Sequence, residues 1–185
     1  DRTEEYDIAT ATRTENVAEH SFHVAVLAHA LAVISRDVFN RDIDPGRVAS
    51  CALYHDMPEI ITGDMPTPVK YYNTEIREAF GSIEKAAQRS LLSTLPEDLR
   101  EDYREYLIPD EEDENYRLVK AADKISALLK CMLEEKSGNT EFIKAKEATE
   151  RSLHNMKCEE AEIFLEEFLG SFSLVLDTVL GMEAE

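Results

Sequence analysis

The chain has 185 residues, of which 39 are acidic and 20 are basic, so its formal net charge is −19. That length favours a single domain, and a hydrophobic content of 43% is sufficient for a folded core. The acidic charge argues against binding to a nucleic-acid polymer, which requires a basic surface. It does not argue against a small phosphorylated substrate, because such a molecule needs only a local positive site.

The cysteines and the apolar runs predict the cellular setting. Cys51, Cys131 and Cys158 are far apart and form no C-x-x-C pair, which favours a reducing compartment without a disulfide framework. No segment approaches ~20 uncharged apolar residues, and no short apolar run follows a basic N-terminus. We therefore expect a cytoplasmic protein with no transmembrane helix, no secretory signal and no membrane partner. Because the chain begins at Asp1, we expect residues to precede it.

Apolar residues recur at helical spacing nearly throughout, and the chain has only six glycines and six prolines, so the sequence predicts an all-α fold. In chain order, we predict helices over residues 17–35, 44–56, 73–94, 96–107, 110–136, 140–157 and 159–180. Residues 57–72 are predicted to form an ordered loop with a short helical turn, because prolines and a glycine cluster there. The expected architecture is a single helical bundle of six to seven helices over residues 1–185.

The first and last predicted helices are expected to be strongly buried. The first is apolar almost all round, which predicts a central helix. The last has a periodic apolar face, which is more often core than interface. That face consists of Ile163, Phe164, Phe168, Phe172 and Leu176.

Two short patterns in the first third of the chain have the residue types of a metal site. Adjacent His55 and Asp56 can bind one cation if the backbone turns after them, and Met57-Pro58 favours such a turn. Alone, this dipeptide is more simply a chance helix end. His20 lies on the first turn of the first helix, and its simplest interpretation is a hydrogen-bonded core or surface histidine.

Asp123 is a third candidate, on the predicted helix over residues 110–136. At ~100° per residue it falls well off the centre of the apolar stripe of that helix. Periodicity alone therefore predicts a solvated carboxylate paired with Lys120 or Lys124. Taken singly, it is no indication of function.

In combination, His20, His55, Asp56 and Asp123 form an H…HD…D pattern that resembles the HD-domain metal-dependent phosphohydrolases. Longer blocks resemble the bacterial 5′-deoxynucleotidase branch of that superfamily. They read RTENVAEHS at 13–21, YHDMPE at 54–59, TGDMPTPVKYY at 62–72 and LVKAADKI at 118–125. The four-residue pattern is specific only to the superfamily, whereas the TGDMPTPVK block is much more specific.

The resemblance implies an α-helical, usually dimeric, cytoplasmic enzyme. It would remove the 5′-phosphate from 2′-deoxyribonucleoside 5′-monophosphates, giving deoxynucleoside and phosphate. His20, His55, Asp56 and Asp123 would hold one divalent metal ion such as cobalt, manganese or another first-row metal, which suits two imidazoles and two carboxylates. The metal-site core would occupy residues 13–136, and helices over 140–181 would follow it in the same domain.

Further residues acquire expected roles from the same resemblance. Glu59, four residues after His55, is expected to orient the nucleophilic water and move its proton. Asp64 is expected to be a second catalytic or substrate-orienting carboxylate. Without the resemblance, Glu59 would be interpreted as a solvated carboxylate and Asp64 as a turn residue.

The expected substrate contacts are positive or polar. Arg13 and Lys70 can offset phosphate charge, and their alternative interpretation is as ordinary surface cations, which for Arg13 is about equally supported. Thr67 can donate its hydroxyl to phosphate or simply shape the loop between two prolines. Tyr6 can stack on a base or sugar.

The N-terminal segment departs from the family pattern. The family has an adjacent arginine and tryptophan upstream of the ligand histidine, where they help to hold the deoxynucleotide. Counting back from His20, this chain has Glu5 and Tyr6 there and no tryptophan anywhere, and Glu5 would repel phosphate. Either the specificity differs or the segment is not contiguous with the rest, in which case Arg2 could serve instead.

Two alternatives stay open, and the departure at Glu5-Tyr6 motivates the first of them. One is an HD-domain phosphohydrolase of another phosphomonoester or of a cyclic nucleotide. The other is a non-catalytic nucleotide-binding helical domain, although such a module does not need all of the candidate ligands together with Glu59. A carboxylate-bridged di-metal protein is disfavoured, because the chain lacks two E-x-x-H motifs on separate helices.

Overall fold

The computed structural model describes residues 15–65, 67–70 and 72–173, and for Thr67, Pro68 and Ser173 only the backbone. Within these residues the chain forms nine α-helices, of which seven have eight or more residues, and no strand, so the all-α prediction is confirmed. In chain order the helices are α1 (Val17–Asp37), α2 (Pro45–Tyr54), α3 (Glu59–Thr62), α4 (Thr67–Lys70), α5 (Thr74–Thr94), α6 (Arg100–Leu107), α7 (Glu114–Lys136), α8 (Phe142–Asn155) and α9 (Glu159–Phe168). Short 3₁₀ turns occupy Glu97–Leu99 and Leu169–Ser173.

The helices that carry the candidate residues begin at well-formed caps. The Asn16 side chain accepts a hydrogen bond from the Glu19 backbone N–H, and the Glu19 carboxylate accepts one from the Asn16 N–H. This capping box places His20 at the end of the first turn of α1. Asp44 caps α2 in the same way, by accepting from the Gly46 N–H at 2.8 Å, and Pro45 occupies the first helical position.

The core lies where α1, α2 and α7 pack together. Fully buried aliphatic side chains from all three helices meet there, among them Leu31, Val48, Leu118, Ile125 and Leu128. Their burial removes apolar surface from water, which is the main stabilising contribution to such a fold. The packing also brings the first turn of α1, the C-terminus of α2 and the middle of α7 to one side of the bundle.

Helix α1 is central but not buried all round, which corrects the expectation from its composition. Phe22 and Val26 are 60% and 55% exposed, while Val24 and Leu31 on the other side are fully buried. Helix α1 is also long enough, and with a mean hydropathy of 1.5 over 18 residues apolar enough, to cross a membrane. The sequence criterion that was expected to exclude a transmembrane helix therefore does not exclude α1. A core helix of a water-soluble protein meets the same criterion.

The C-terminal region also differs from the prediction. Helix α9 ends at Phe168 and continues as a 3₁₀ turn. Phe164 is buried, but Phe168 and Phe172 are about half exposed, so the predicted buried face is wrong beyond Phe164. The predicted continuation to residue 180, with Leu176, lies outside the described residues.

A buried carboxylate connects α9 to the rest of the bundle. Glu160 is fully buried and accepts hydrogen bonds from Ser35 Oγ at 2.8 Å, from Arg117 Nη2 at 3.1 Å and from Arg41. These partners come from α1, from α7 and from the loop after α1. Because a buried charge is costly unless it is paired, this network is a structural feature of the fold.

Candidate metal centre and its cleft

Three helices bring the four candidate metal ligands together. His20 lies on the first turn of α1, His55 is the residue at the C-terminus of α2, and Asp56 follows it in the turn that leads to Pro58. Asp123 lies in the middle of α7. The chain therefore turns directly after His55, as the Met57-Pro58 sequence predicts.

The side-chain atoms of these residues converge. His20 Nε2 lies 3.1 Å from Asp123 Oδ1 and 3.4 Å from Asp56 Oδ2, and His55 Nε2 lies 3.1 Å from Asp56 Oδ2. One donor atom from each of His20, His55 and Asp123 falls within 4.8 Å of the other two. Such a spacing allows one ion to contact all of them.

The ring of His55 is oriented for metal binding. Its Nδ1 lies 2.6 Å from the carbonyl oxygen of Ala52, so Nδ1 carries the proton and Nε2 carries the lone pair. Nε2 is buried and lies 3.1 Å from Asp56 Oδ2, but no contact that it makes among the described residues has hydrogen-bond geometry. A buried lone pair that faces carboxylates is the arrangement expected of a histidine ligand. The residues present therefore fit a first-row divalent cation, which accepts imidazole and carboxylate donors.

Asp123 pairs with His20 rather than with Lys120 or Lys124, while its side chain stays 44% exposed, so periodicity alone predicts its exposure but not its partner. Burial by itself would raise its pKa, but the hydrogen bond with His20 and the nearby imidazole of His55 outweigh burial, so the pKa lies below its ordinary value. For His20, burial alone would lower the pKa. The hydrogen bond with Asp123 and the negative charges of Asp123, Asp56 and Glu15 outweigh burial, so the pKa of His20 lies above its ordinary value. Both pKa shifts show that the carboxylates of this cluster stabilise positive charge next to them.

The cluster opens into a cleft of about 650 Å³. Glu59 and Asp64 both line this cleft, on the side formed by the segment after α2. Burial, together with the charges of Asp56 and Asp64, raises the pKa of Glu59 to about 7. A carboxyl group with a pKa near neutrality is suited to exchange protons with a substrate or water.

Of the four predicted substrate contacts, the structure describes the side chain of Lys70 only. Lys70 lines the cleft, but its Nζ lies 2.7 Å from Glu84 Oε1, so part of its charge is compensated. Arg13 and Tyr6 lie outside the described residues, as does the side chain of Thr67. Their predicted roles stay predictions.

Glu15 is a potentially functional residue that the sequence interpretation did not single out. Its Oε2 lies 3.7 Å from His20 Nδ1 and 3.9 Å from Lys130 Nζ, and its Oε1 lies 2.9 Å from His23 Nδ1. The available signal was its position inside the RTENVAEHS block, directly before the residue that caps α1. Glu15 faces the ring nitrogen of His20 opposite to the one that faces the cluster.

The comparisons with known proteins agree with this geometry. Residues 5–172 match the family model described as 5′-deoxynucleotidase YfbR-like. The chain belongs to this family. It is 46% identical over 167 residues to a 5′-deoxynucleotidase of Vibrio cholerae, covering 90% of this chain and 86% of that protein. It is also 46% identical over 168 residues to one of Erwinia tasmaniensis, covering 90% and 85%.

A solved structure has a fold similar to that of the present chain. An HD-domain phosphohydrolase of Listeria innocua superimposes with a TM-score of 0.77 at 26% identity, covering 88% of this chain and 79% of the other. Family and fold together make the protein a phosphoric monoester hydrolase, and its fold is the HD-domain fold. The family match includes Glu5 and Tyr6, at which the chain departs from the expected arginine and tryptophan.

Proposed function

We propose that this protein removes the 5′-phosphate from 2′-deoxyribonucleoside 5′-monophosphates, with one first-row divalent metal ion held by His20, His55, Asp56 and Asp123. The observation that carries the proposal is the convergence of these side chains from α1, α2 and α7 around the lone pair of His55 Nε2. The relatives named as 5′-deoxynucleotidases supply the substrate class. When bound, the ion would polarise the phosphoryl oxygens and make water more acidic.

The residues around the cluster divide the remaining work. Glu59 would accept the proton of the attacking water, because a carboxyl group with a pKa of about 7 is partly ionised near neutral pH. Asp64, on the same side of the cleft, would orient the substrate. Lys70 would add positive charge to the cleft. It would not bind the phosphate alone, because its ammonium group is also paired with Glu84. Arg13, Thr67 and Tyr6 stay candidate substrate contacts.

The test of this proposal is phosphate release from dAMP and from AMP by metal-stripped enzyme, before and after re-addition of cobalt, manganese or magnesium. We expect phosphate release to depend on added metal and to be much faster from dAMP than from AMP. Equal release from both nucleotides would favour a phosphohydrolase of broader specificity, a candidate that the Glu5-Tyr6 departure supports. No release from either substrate, with metal demonstrably bound, would contradict the proposal.

We further propose that the enzyme is a cytoplasmic homodimer that acts on small molecules, without a nucleic-acid polymer or a membrane as partner. The apolar side chains of Phe22 and Val26, which lie one turn apart on α1 and are 60% and 55% exposed, support a protein interface. The net charge of −19 supports the exclusion of nucleic acid. Light scattering coupled to size-exclusion chromatography tests the dimer, and a mass of one chain would contradict it.

A further inference from the structure

The lysines that line the cleft differ in how their ammonium groups are held. Within the described part of the chain these lysines are Lys70, Lys124 and Lys130. Lys130 Nζ lies 3.9 Å from Glu15 Oε2, which is too long for a hydrogen bond. Lys70 Nζ, by contrast, lies 2.7 Å from Glu84 Oε1, which is the length of a charge-assisted hydrogen bond. Lys70 is therefore held by a carboxylate that the proposed chemistry does not use.

Glu84 contacts Lys70 from behind the wall of the cleft. It lies in the middle of α5, a helix that is described throughout and that contributes no residue to the lining of the cleft. Both α3 and α4 pack against α5, and Lys70 is the last residue of α4. Helix α5 thus supports the segment that carries the candidate residues Glu59, Asp64 and Lys70.

Phe80 and Glu84 both contact the ammonium group of Lys70. They are spaced i and i+4, so they lie on one face of α5. Lys70 Nζ lies 5.0 Å from the centroid of the Phe80 ring, within the range of a cation–π interaction, and Phe80 is buried. The side chains of Lys70 and Glu84 are 28% and 29% exposed, so salt screens this ion pair less than it screens a fully exposed one.

A lysine that is ordered in advance binds a phosphate more tightly than a mobile one. A free lysine side chain samples many rotamers, and ordering it upon binding reduces affinity about 2-fold to 10-fold. This loss is avoided when other protein groups have already fixed the side chain. An ammonium group has three N–H donors, so the hydrogen bond to Glu84 does not by itself prevent Lys70 from contacting a phosphate.

The charge of Lys70 also acts on the metal end of the cleft. Burial raises the pKa of Glu59, and Lys70 is one of the positive charges that oppose this rise. The ammonium group is therefore close enough to Glu59 for an electrostatic interaction. The position at which α5 holds this group is thus on the side of the cleft where the proposed chemistry takes place.

We propose that Glu84 is a positioning residue for the proposed reaction. Together with Phe80, it fixes the ammonium group of Lys70 at the metal end of the cleft before the substrate arrives, and this group then contacts the phosphate of the nucleotide. The inference rests on the proposed function, which assigns the phosphate to that end of the cleft. Glu84 itself touches neither the metal ion nor the substrate.

Glu84→Gln tests this role, because the amide keeps the shape of the carboxylate but loses the charge that attracts Lys70. Glu78→Gln is the matched control, because Glu78 is an exposed glutamate on the same helix and does not line the cleft. Steady-state kinetics with dAMP on the metal-loaded enzyme give kcat and KM. Inorganic phosphate and 2′-deoxyadenosine serve as competitive inhibitors that contain only the phosphate or only the nucleoside.

Glu84→Gln should raise the KM for dAMP about 2-fold to 10-fold. It should leave kcat within about twofold of the wild type, because Lys70 would contact the phosphate in the ground state and the transition state alike. The inhibition constant of inorganic phosphate should rise by the same factor as KM, whereas that of 2′-deoxyadenosine should stay unchanged. Glu78→Gln should match the wild type throughout. A general distortion of the cleft would instead weaken both inhibitors, and that result would overturn the proposal.

The same substitution in a Lys70→Met background shows whether Glu84 acts through Lys70. There it should leave the KM for dAMP unchanged or lower it, because the carboxylate has no cation to hold and only repels the phosphate. A rise in KM in this background would overturn the proposal, as would a KM for Glu84→Gln at or below that of the wild type. Neither result would affect the proposed function, provided that the wild type hydrolyses dAMP. A wild-type enzyme that hydrolyses no deoxynucleotide would overturn the proposed function and this inference with it.

Discussion

The ring of His55 is held by the carbonyl group of Ala52, three residues earlier, at a distance of 2.6 Å from Nδ1. Because α2 ends at this point, the Ala52 carbonyl is also the acceptor of the His55 backbone N–H, at 3.5 Å. The helix terminus thereby fixes both the position and the tautomer of the ring. The lone pair on Nε2 faces the carboxylate of Asp56, so a cation placed between the two groups would be bound by both.

His55→Gln should therefore abolish metal binding. The amide keeps some polarity but lacks the imidazole lone pair at the centre of the cluster, and first-row cations favour imidazole. Metal content after dialysis, measured by plasma mass spectrometry, should fall from about one ion per chain to nearly none. His29→Gln is the matched control, because His29 is an exposed histidine on α1 that does not line the cleft. Full metal content in His55→Gln would contradict the ligand assignment.

Glu59→Gln separates catalysis from metal binding. The amide has nearly the same shape as the carboxylate but cannot accept a proton, so kcat for dAMP should fall about 100-fold or more. Metal content should stay at the wild-type value, because Glu59 is not one of the proposed ligands. Glu75→Gln, on an exposed residue in the first turn of α5, should behave as the wild type. Near-normal turnover by Glu59→Gln would show that another group moves the proton.

Glu15→Gln tests whether the carboxylate beside His20 supports the metal centre. Glu15 Oε2 lies 3.7 Å from His20 Nδ1, on the side of the ring opposite to Asp123. Loss of such a carboxylate partner typically weakens metal affinity about 10-fold to 100-fold, so the dissociation constant measured by competition with a chelator should rise by about that factor. His23→Gln removes the other imidazole partner of Glu15 and should have a smaller effect. Equal affinity in Glu15→Gln and the wild type would assign Glu15 a purely local role at the start of α1.

Local patterns in the sequence predict the helices well and the site only in pieces. Asn16, Asp44 and Asn73 each accept a hydrogen bond from a backbone N–H in the first turn of the helix that follows. These caps and the turn after His55 are encoded within a few residues, which makes them predictable. The contact between His20 and Asp123 joins residues 103 positions apart, and periodicity carries no information about such pairs. Asp123 lies off the apolar stripe of α7, which by itself suggests exposure to solvent. The same placement directs its side chain into the cleft.

The errors have a common physical origin. An apolar pattern shows which face of a helix avoids water, but not whether another element covers that face. Phe168 and Phe172 continue the pattern of Phe164, yet they are about half exposed because α9 gives way to a 3₁₀ turn there. Phe22 and Val26 on α1 are exposed for the same kind of reason. Glu15 was not singled out, because an acidic residue before a helix cap is common and its contact with His20 depends on the packing of the side chains.

The buried network around Glu160 predicts how stability depends on pH. Burial alone would raise the pKa of Glu160, but hydrogen bonds from the backbone and Ser35 and the charge of Arg117 outweigh it, so the pKa lies below its ordinary value of 4.5. A carboxylate with a lowered pKa in the folded state contributes stability above its unfolded pKa, and this contribution is lost as the pH falls through the folded pKa. Glu160→Gln should therefore cost about 3 kcal/mol of unfolding free energy at pH 7, as does the loss of one partner from a buried ion pair.

The difference between wild type and Glu160→Gln isolates this contribution, because other titrating groups are common to both proteins. Urea unfolding at several pH values should give a constant difference from pH 7 to about pH 5 and a decreasing difference below about pH 4.5. Glu166→Gln, at an exposed position on the same helix, provides a control that should follow the wild type throughout. A difference that does not change between pH 7 and pH 3 would contradict a lowered pKa for Glu160 and would leave packing as the source of its effect.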